Sequence, residues 1–263
     1  MPEGHTIHRI AQDHRKWFVD QSTGLFSPQG RFDNEARKLD GAILRDVTAC
    51  GKHLFYHWGP RKIVHVHLGL YGKFRIYKNP APQPRGAVRM RMIGQDRTFD
   101  LNGPTCCELI DYQKLHSIKA RLGQDPLSSD ACPETLWLRM SRSRSAIGTL
   151  LLNQSIIAGV GNVYRAEILF LLGIHPETPA KQISRERFDE FWRLTIELLK
   201  TGMKYNRIIT VDRQTVEKPL SRLNASERLH VYKRPHCRRC GSKIETWMLG
   251  NRKMYACTKC QKE

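Results

Sequence analysis

The sequence predicts an α+β protein of two domains: a first half that reads as a helix followed by a β-sandwich, and a second, helical domain that ends in a metal-held β-hairpin. Three observations predict it. Apolar and polar residues alternate with period two in short segments through the first hundred residues. Helical spacing replaces that alternation from about Cys132, and two Cys-x-x-Cys pairs close the chain. With 263 residues, 40% of them hydrophobic and 26% charged, there is chain enough for two small cores. The boundaries expected are 1–128, 133–230 and 231–263.

The chain opens MPEGHTIHR, and from Ile7 the residues Ile7, Ile10, Ala11, amphipathic His14, Trp17 and Phe18 form the stripe of a surface helix with one buried face. Pro2 and Glu3 fall just outside its first turn. Removal of the initiator Met, expected when Pro follows, would leave a secondary amine beside a carboxylate. In KIVHVHL, Val64, Val66 and Leu68 point one way and His65 and His67 the other. In VRMRM, Val88, Met90 and Met92 oppose Arg89 and Arg91. LFYHW, KFRIY and RTFDL complete a set of strands separated by Gly, Pro and Asn, the grammar of a sandwich. His65 and His67 are expected to be outward polar positions on a half-buried strand rather than a metal pair.

Gly, Pro, Ser and Asp gather in RLGQDPLSSDACP, residues 121–133, where the domain boundary is expected. Beyond it ETLWLRM, AIGTLLLNQ, VYRAEILFLLG and FDEFWRLTIELLKTGM carry helical spacing. In NQSIIAGVGNVYRAEIL, Gly159 and Gly161 stand ahead of Asn162, which is expected to cap a helix starting at Val163. Glycines leading into a helix N-terminus suit an anion, although an ordinary helix connection has the same look.

CRRCGSKIETWMLGNRKMYACTKC places Cys237 and Cys240 two residues apart, and likewise Cys257 and Cys260, with sixteen residues between the pairs. That is the spacing of one structural Zn2+ held by four thiolates; two disulfides are the alternative in an oxidising compartment. Between the pairs, two short strands joined by Gly-Asn bury too little to fold alone, whereas zinc supplies about 10 to 16 kcal/mol. Cys50, Cys106, Cys107 and Cys132 lack metal spacing and are expected to be buried thiols.

The formal charge is +19, and residues 201–263 alone carry 15 Lys+Arg against 5 Asp+Glu. Clustered excess cation points to a polyanionic partner, nucleic acid above all. No apolar run reaches the length of a membrane span or has the look of a signal peptide, so a cytoplasmic, nucleoid-associated monomer without membrane contact is expected.

N-terminal PEG, GKHLF at 51–55, HLGLYGKF at 67–74, NQSIIAGVGNVYRAEIL and the cysteine hairpin with Arg252 occur together and in one order. The combination resembles the formamidopyrimidine-DNA glycosylase and endonuclease VIII family of base-excision repair enzymes. HTIHR and HLGLYG look more like the endonuclease VIII branch, which removes oxidised pyrimidines.

The resemblance implies a two-layer β-sandwich with flanking helices, a helix-two-turn-helix domain with its zinc finger, and damaged DNA lying between the domains. It implies Pro2 as nucleophile and Glu3 as general acid. Lys52 would contact phosphate or donate a proton, and Arg252 would grip phosphates and take part in δ-elimination. Asn162 would bind phosphate, Arg121 would contact DNA from the interdomain loop, and Gly69, Leu70 and Tyr71 would fill the gap left by an everted nucleotide. An α-amino group, with an ordinary pKa of about 7.7 to 8.0 against about 10.4 for lysine, suits the first of these roles.

Three departures stand out. Gly69 lacks the polar filler of some relatives, Thr6 replaces a second acid, and the approach YKRPHC is shorter than the usual Gly-containing form. Two other functions fit parts of the pattern: the same chemistry on oxidised purines, and a zinc-ribbon DNA binder without catalysis, which leaves Pro2 and Glu3 unexplained.

Overall fold

The computed structural model describes residues Pro2–Lys262. The chain divides into two compact units: Ile7–Arg121 with the residues ahead of Gly4, and Gly4–Thr6 with the chain from Leu122 onward.

The first unit opens on α1 (Gly4–Phe18), which ends when Val19 turns extended and Asp20 takes a left-handed φ of 60°. There follow β1 (Gly24–Phe26), α2 (Asp33–Arg37), β2 (Asp46–Cys50), β3 (His53–Gly59), β4 (Lys62–His67), β5 (Lys73–Lys78), β6 (Val88–Ile93), β7 (Arg97–Asn102), β8 (Cys106–Ile110) and α3 (Tyr112–Ala120). The strands form two antiparallel four-stranded sheets, ordered β1-β6-β7-β5 and β2-β3-β4-β8. Leu54, Tyr56, Val64, Val66 and Leu68 from one sheet share a core with Met90, Met92, Phe99 and Leu101 from the other. Ile7, Ala11 and Phe18 of α1 join that core.

The outer faces depart from simple alternation. α3 lays Leu115 and Ile118 on Phe55, Ile63 and Ile110, covering part of the outer face of the β2-β3-β4-β8 sheet. His65 is therefore 5% exposed rather than outward in water, although His67 is half-buried. On the other sheet Arg91, also expected outside, is buried against Asp100 of the paired strand, with Nε–Oδ1 at 2.5 Å and Nη2–Oδ2 at 2.8 Å. Both corrections have one cause: a sheet face covered by neighbouring side chains accepts polar residues only when they find partners.

His14 sits in the core, 1% exposed, with Nδ1 2.6 Å from the Tyr56 hydroxyl and its ring stacked 4.8 Å from Phe99. Burial lowers its pKa to about 3. An unfolded histidine titrates near 6.5, so between those values the unfolded chain binds the extra proton. The stabilisation is complete above that upper value and drains as pH falls, by up to about 1.4 kcal/mol per pH unit. Replacing His14 with Phe is expected to flatten the pH dependence of unfolding between pH 6 and 4 by about one proton, read from denaturant titrations at several pH values.

The second unit holds α4 (Pro133–Met140), α5 (Ile147–Leu150), α6 (Asn162–Leu171), α7 (Arg185–Tyr205), β9 (Glu245–Leu249) and β10 (Arg252–Ala256). AIGTLLLNQ forms only the four residues of α5 before two successive turns lead to α6. Helix α7 is capped by Ser184, whose hydroxyl accepts from Arg187 N, and stops at Asn206 in a left-handed conformation. Tyr164, Ile168, Phe170, Phe188, Phe191 and Leu199 make its core, and Met254 and Cys257 of the terminal hairpin join it.

Candidate functional site

Glu3 occupies the N-cap position of α1 with extended backbone, yet its side chain makes no capping hydrogen bond. It is fully buried, and Pro2 beside it is half-buried. A carboxylate at a helix N-terminus is stabilised by the helix dipole. The next residue explains the third letter of PEG. Gly4 N donates to Gly159 O at 2.8 Å, and a Cβ on Gly4 would lie 2.9 Å from Gly159 Cα, so only glycine permits the approach.

His5 follows, 3% exposed, edge-on to Tyr164 at 5.3 Å. Burial, reinforced by nearby positive charge including Arg228, lowers its pKa to about 3. His5 is thus a neutral ring at physiological pH. Thr6, in the place of a second acid, sets its hydroxyl against its neighbour's ring, Oγ1 to His5 Nε2 at 3.1 Å.

Lys52 lies in the two-residue turn between β2 and β3, where Cys50 pairs with His53 and Gly51 supplies the left-handed φ of 56°. Arg121 ends α3. Both lie close enough to His53 to act on it: burial first, then His67, His65, Arg121 and Lys52, push its pKa to about 3. The structure brings these two predicted cations to one histidine cluster.

Between β4 and β5 the turn is closed by Gly72 N donating to Leu68 O at 2.9 Å, and it presents Leu70 at 47% exposure and Tyr71 at 85%. Gly69 has a φ of 63°, and a Cβ there would run into the Thr105 side chain. The departure from a polar filler is therefore built into the backbone, which leaves Leu70 and Tyr71 as the side chains the turn displays.

In the second unit the helix begins one residue earlier than the sequence suggests. Gly161 is the N-cap and Asn162 the first helical residue, so Asn162 does not cap a helix starting at Val163. Its side chain is engaged elsewhere: Nδ2 donates to Lys253 O at 2.9 Å, and Oδ1 accepts from Arg165 Nη2 at 2.5 Å. The preceding turn is braced by Gln154, which donates to Val160 O at 2.9 Å and accepts from Gly159 N at 3.1 Å.

The terminal hairpin pairs Arg252 with Leu249 across Gly250 and Asn251, both left-handed at φ 62° and 58°, the geometry of a tight two-residue turn. Arg252 is exposed at its tip. Cys237, Cys240, Cys257 and Cys260 bring their sulfurs within 4.8 Å of one another. The separations are 3.8 Å for Cys237–Cys260 and 3.5 Å for Cys240–Cys257. A tetrahedral ion with Zn–S of about 2.3 Å needs sulfur–sulfur edges of about 3.8 Å, so the four thiols fit zinc. The other four do not share one environment: Cys132 is exposed, against expectation, and Cys50, Cys106 and Cys107 are only half-buried.

Sequence reasoning misses two charged residues on α6. Arg165 is fully buried and donates to Leu249 O at 2.9 Å and Gly148 O at 3.1 Å, so with Asn162 it holds both strands of the hairpin. Glu167, equally buried, accepts from the backbone N–H groups of His230 at 2.7 Å and of Val231 and Tyr232 at 2.8 Å. Those bonds fix the approach to the finger, where Lys233 takes a φ of 56° that is ordinarily glycine's. The one signal in the sequence is a pair of opposite charges inside the otherwise apolar run VYRAEILFLL.

Residues 1–104 match the formamidopyrimidine-DNA glycosylase N-terminal domain, and residues 122–214 match the H2TH domain of the same enzymes. Endonuclease 8 1 of Mycobacterium tuberculosis is 45% identical over 99% of this chain and 100% of its own length. The formamidopyrimidine-DNA glycosylase of Geobacter metallireducens is 31% identical over 85% of this chain and 83% of its own. Among solved structures, Lactococcus lactis Fpg bound to DNA containing N7-benzyl-Fapy-dG superposes with a TM-score of 0.82 at 24% identity, covering both chains completely. The two-turn connection from α5 to α6 is thus the helix-two-turn-helix motif, and the chain belongs to the formamidopyrimidine-DNA glycosylase and endonuclease 8 family of DNA glycosylases and abasic-site lyases.

Proposed function

We propose that this enzyme removes oxidised pyrimidines from DNA and cleaves the strand by β,δ-elimination through a Schiff base on Pro2. The observation that carries the proposal is the N-terminus itself: a proline followed by a fully buried glutamate at the start of α1, ahead of a glycine sealed against Gly159. A carboxyl set next to a terminal amine suits proton transfer.

With Met1 removed, the Pro2 nitrogen attacks C1′ of the damaged nucleotide and the base departs with a proton. Glu3, the next residue to the amine in the chain, supplies and relays protons. Ring opening leaves an iminium. A secondary amine cannot shed that charge as a neutral imine, so the C2′ proton stays acidic and the 3′ and then the 5′ phosphate are expelled. Lys52, Arg121 and Arg252 hold phosphates, as does the helix start at Gly161 and Asn162, and Leu70 and Tyr71 occupy the gap left by the everted nucleotide. Cys237, Cys240, Cys257 and Cys260 would hold zinc, which would supply no chemistry to the reaction and would stiffen the hairpin that carries Arg252.

The endonuclease 8 relative, at 45% identity against 31% for the formamidopyrimidine-DNA glycosylase, supports the pyrimidine branch. Two measurements test the proposal. Borohydride reduction on abasic duplex is expected to trap a covalent adduct that peptide mass mapping assigns to Pro2; an adduct on a lysine, or none, overturns the chemistry. Excision is expected to be at least tenfold faster from thymine glycol than from 8-oxoguanine duplexes. The reverse order makes the enzyme a purine glycosylase.

A further inference from the structure

The covered outer face of the β2-β3-β4-β8 sheet carries a polar cluster that the proposed lesion chemistry does not use. His65 pairs with Glu108 across β4 and β8, and Cys106 lies two residues along β8 on the same face. His65 Nδ1 is 3.0 Å from Glu108 Oε1 and 3.5 Å from Cys106 Sγ, and the donor atoms of all three lie within 4.8 Å of one another. On its other side His65 Nε2 is 2.9 Å from His53 Nδ1.

We propose that His65, Cys106 and Glu108 form a second zinc site, with His53 orienting His65 and the fourth position open to solvent. Imidazole, thiolate and carboxylate converging on one point are three of zinc's preferred ligands, and three protein ligands with an open fourth is a recurring zinc geometry. A tetrahedral ion with Zn–N and Zn–S of about 2.05 and 2.3 Å sets its nitrogen and sulfur about 3.5 Å apart. The His65–Cys106 separation of 3.5 Å matches that edge. The corresponding nitrogen–oxygen edge is about 3.4 Å. At 3.0 Å Glu108 sits closer than that, but its side chain is 46% exposed and can swing outward.

The frame is stiff where it needs to be. His65 is backed by Phe55, stacked at 5.0 Å, and tied edge to edge to His53 through the 2.9 Å nitrogen–nitrogen contact. The bond to His53 has a second use. When His65 Nε2–H donates to His53, the Nδ1 lone pair faces Glu108 and Cys106, an arrangement of acceptors that a cation resolves. Without the cation the opposite tautomer would let Nδ1–H donate to Glu108.

Zinc binding therefore shifts both rings: His53 Nδ1 gives its proton to His65 Nε2 and takes one at its own Nε2, while His65 Nδ1 and the Cys106 thiol each lose one, a net release of one proton. The product is uncharged overall, since thiolate and carboxylate offset the 2+ ion. That neutrality suits a site with Lys114 and Arg121 nearby. The site would also pin the turn that displays Leu70 and Tyr71: Thr105, next to Cys106, donates its N–H to His67 O at 2.9 Å, and its side chain fills the space beside Gly69.

Zinc itself is the probe. Full-length protein, titrated with Zn2+ and freed of unbound ion, is expected to hold two zinc ions per chain by elemental mass spectrometry. Cys106→Ser and, separately, Glu108→Gln are expected to hold one, with affinity for the second weakened at least tenfold. Thermal unfolding of each variant with one zinc bound, matched to wild type in the same state, shows that the fold survives. A single zinc in saturated wild-type protein overturns the site, as does a second zinc that both variants bind unchanged.

Discussion

Inserting one alanine between Met1 and Pro2 is expected to abolish borohydride trapping on abasic DNA and lower strand cleavage by about 10³-fold or more, as loss of a covalent nucleophile does elsewhere. The insertion turns the proline nitrogen into a tertiary amide whose lone pair is delocalised, and it moves the terminal amine one residue, about 3.8 Å, up the chain. Everything from Glu3 onward keeps its sequence, including the Gly4 contact to Gly159. Duplex affinity and its salt dependence should therefore stay within about twofold of the native protein, because neutralised phosphates set both. Glu3→Gln gives a different signature. Base removal falls by about 10² to 10⁴, the usual range for a lost general acid. Trapping on a preformed abasic site survives in part, since no base has to leave. Unchanged cleavage by the alanine-extended enzyme would reject Pro2 as the nucleophile.

How far the molecule is legible from its sequence differs from element to element, and the differences have causes. Period-two alternation locates β3 to β7 because each has one face in the sandwich core. β2 and β8 escape it, since their apolar pattern is mixed with Thr, Cys and Glu and their outer face lies against neighbours. Helix α3 stays hidden for a related reason: only Leu115 and Ile118 of its nine residues are buried, too few to draw a stripe. The hairpin is fully legible, because thiolate spacing and a Gly-Asn turn are local constraints that leave little choice. Of the predicted functional positions, Lys52 and Arg121 are brought to one histidine cluster, and Asn162 lies against the carbonyl of the residue after Arg252. Roles that depend on burial are not legible. Nothing in VYRAEIL says that Arg165 faces strand carbonyls or that Glu167 collects three backbone N–H groups, because a one-dimensional pattern gives no view of a distant chain segment.

Removing zinc is expected to cost the enzyme its grip on DNA while leaving the helices in place. The hairpin contributes few buried side chains of its own, chiefly Met254, Ala256 and Cys257, and two paired strands of five residues do not hold together in water. Its docking rests on Asn162 and Arg165 reaching the carbonyls of Leu249 and Lys253 and on Trp247 stacked 5.8 Å from His175. Those interactions amount to a few kcal/mol, against about 10 to 16 kcal/mol from a four-thiolate zinc. Chelation, or Cys257→Ser, should accordingly release the segment from Cys237 onward to proteolysis and change Trp247 fluorescence, with α7 still helical by circular dichroism. That segment carries Arg238, Arg239, Lys243, Arg252, Lys253, Lys259 and Lys262. Each phosphate that the protein no longer neutralises lowers the slope of log affinity against log salt by about 0.9, so giving up two or three implies a fall in affinity of about 10² or more at low salt. Arg165→Met separates docking from folding: zinc stays bound, the tip loosens, and cleavage drops while proteolytic resistance persists. A chelated protein that binds duplex as tightly as the native one, with the same salt slope, would show that the hairpin takes no part in holding DNA.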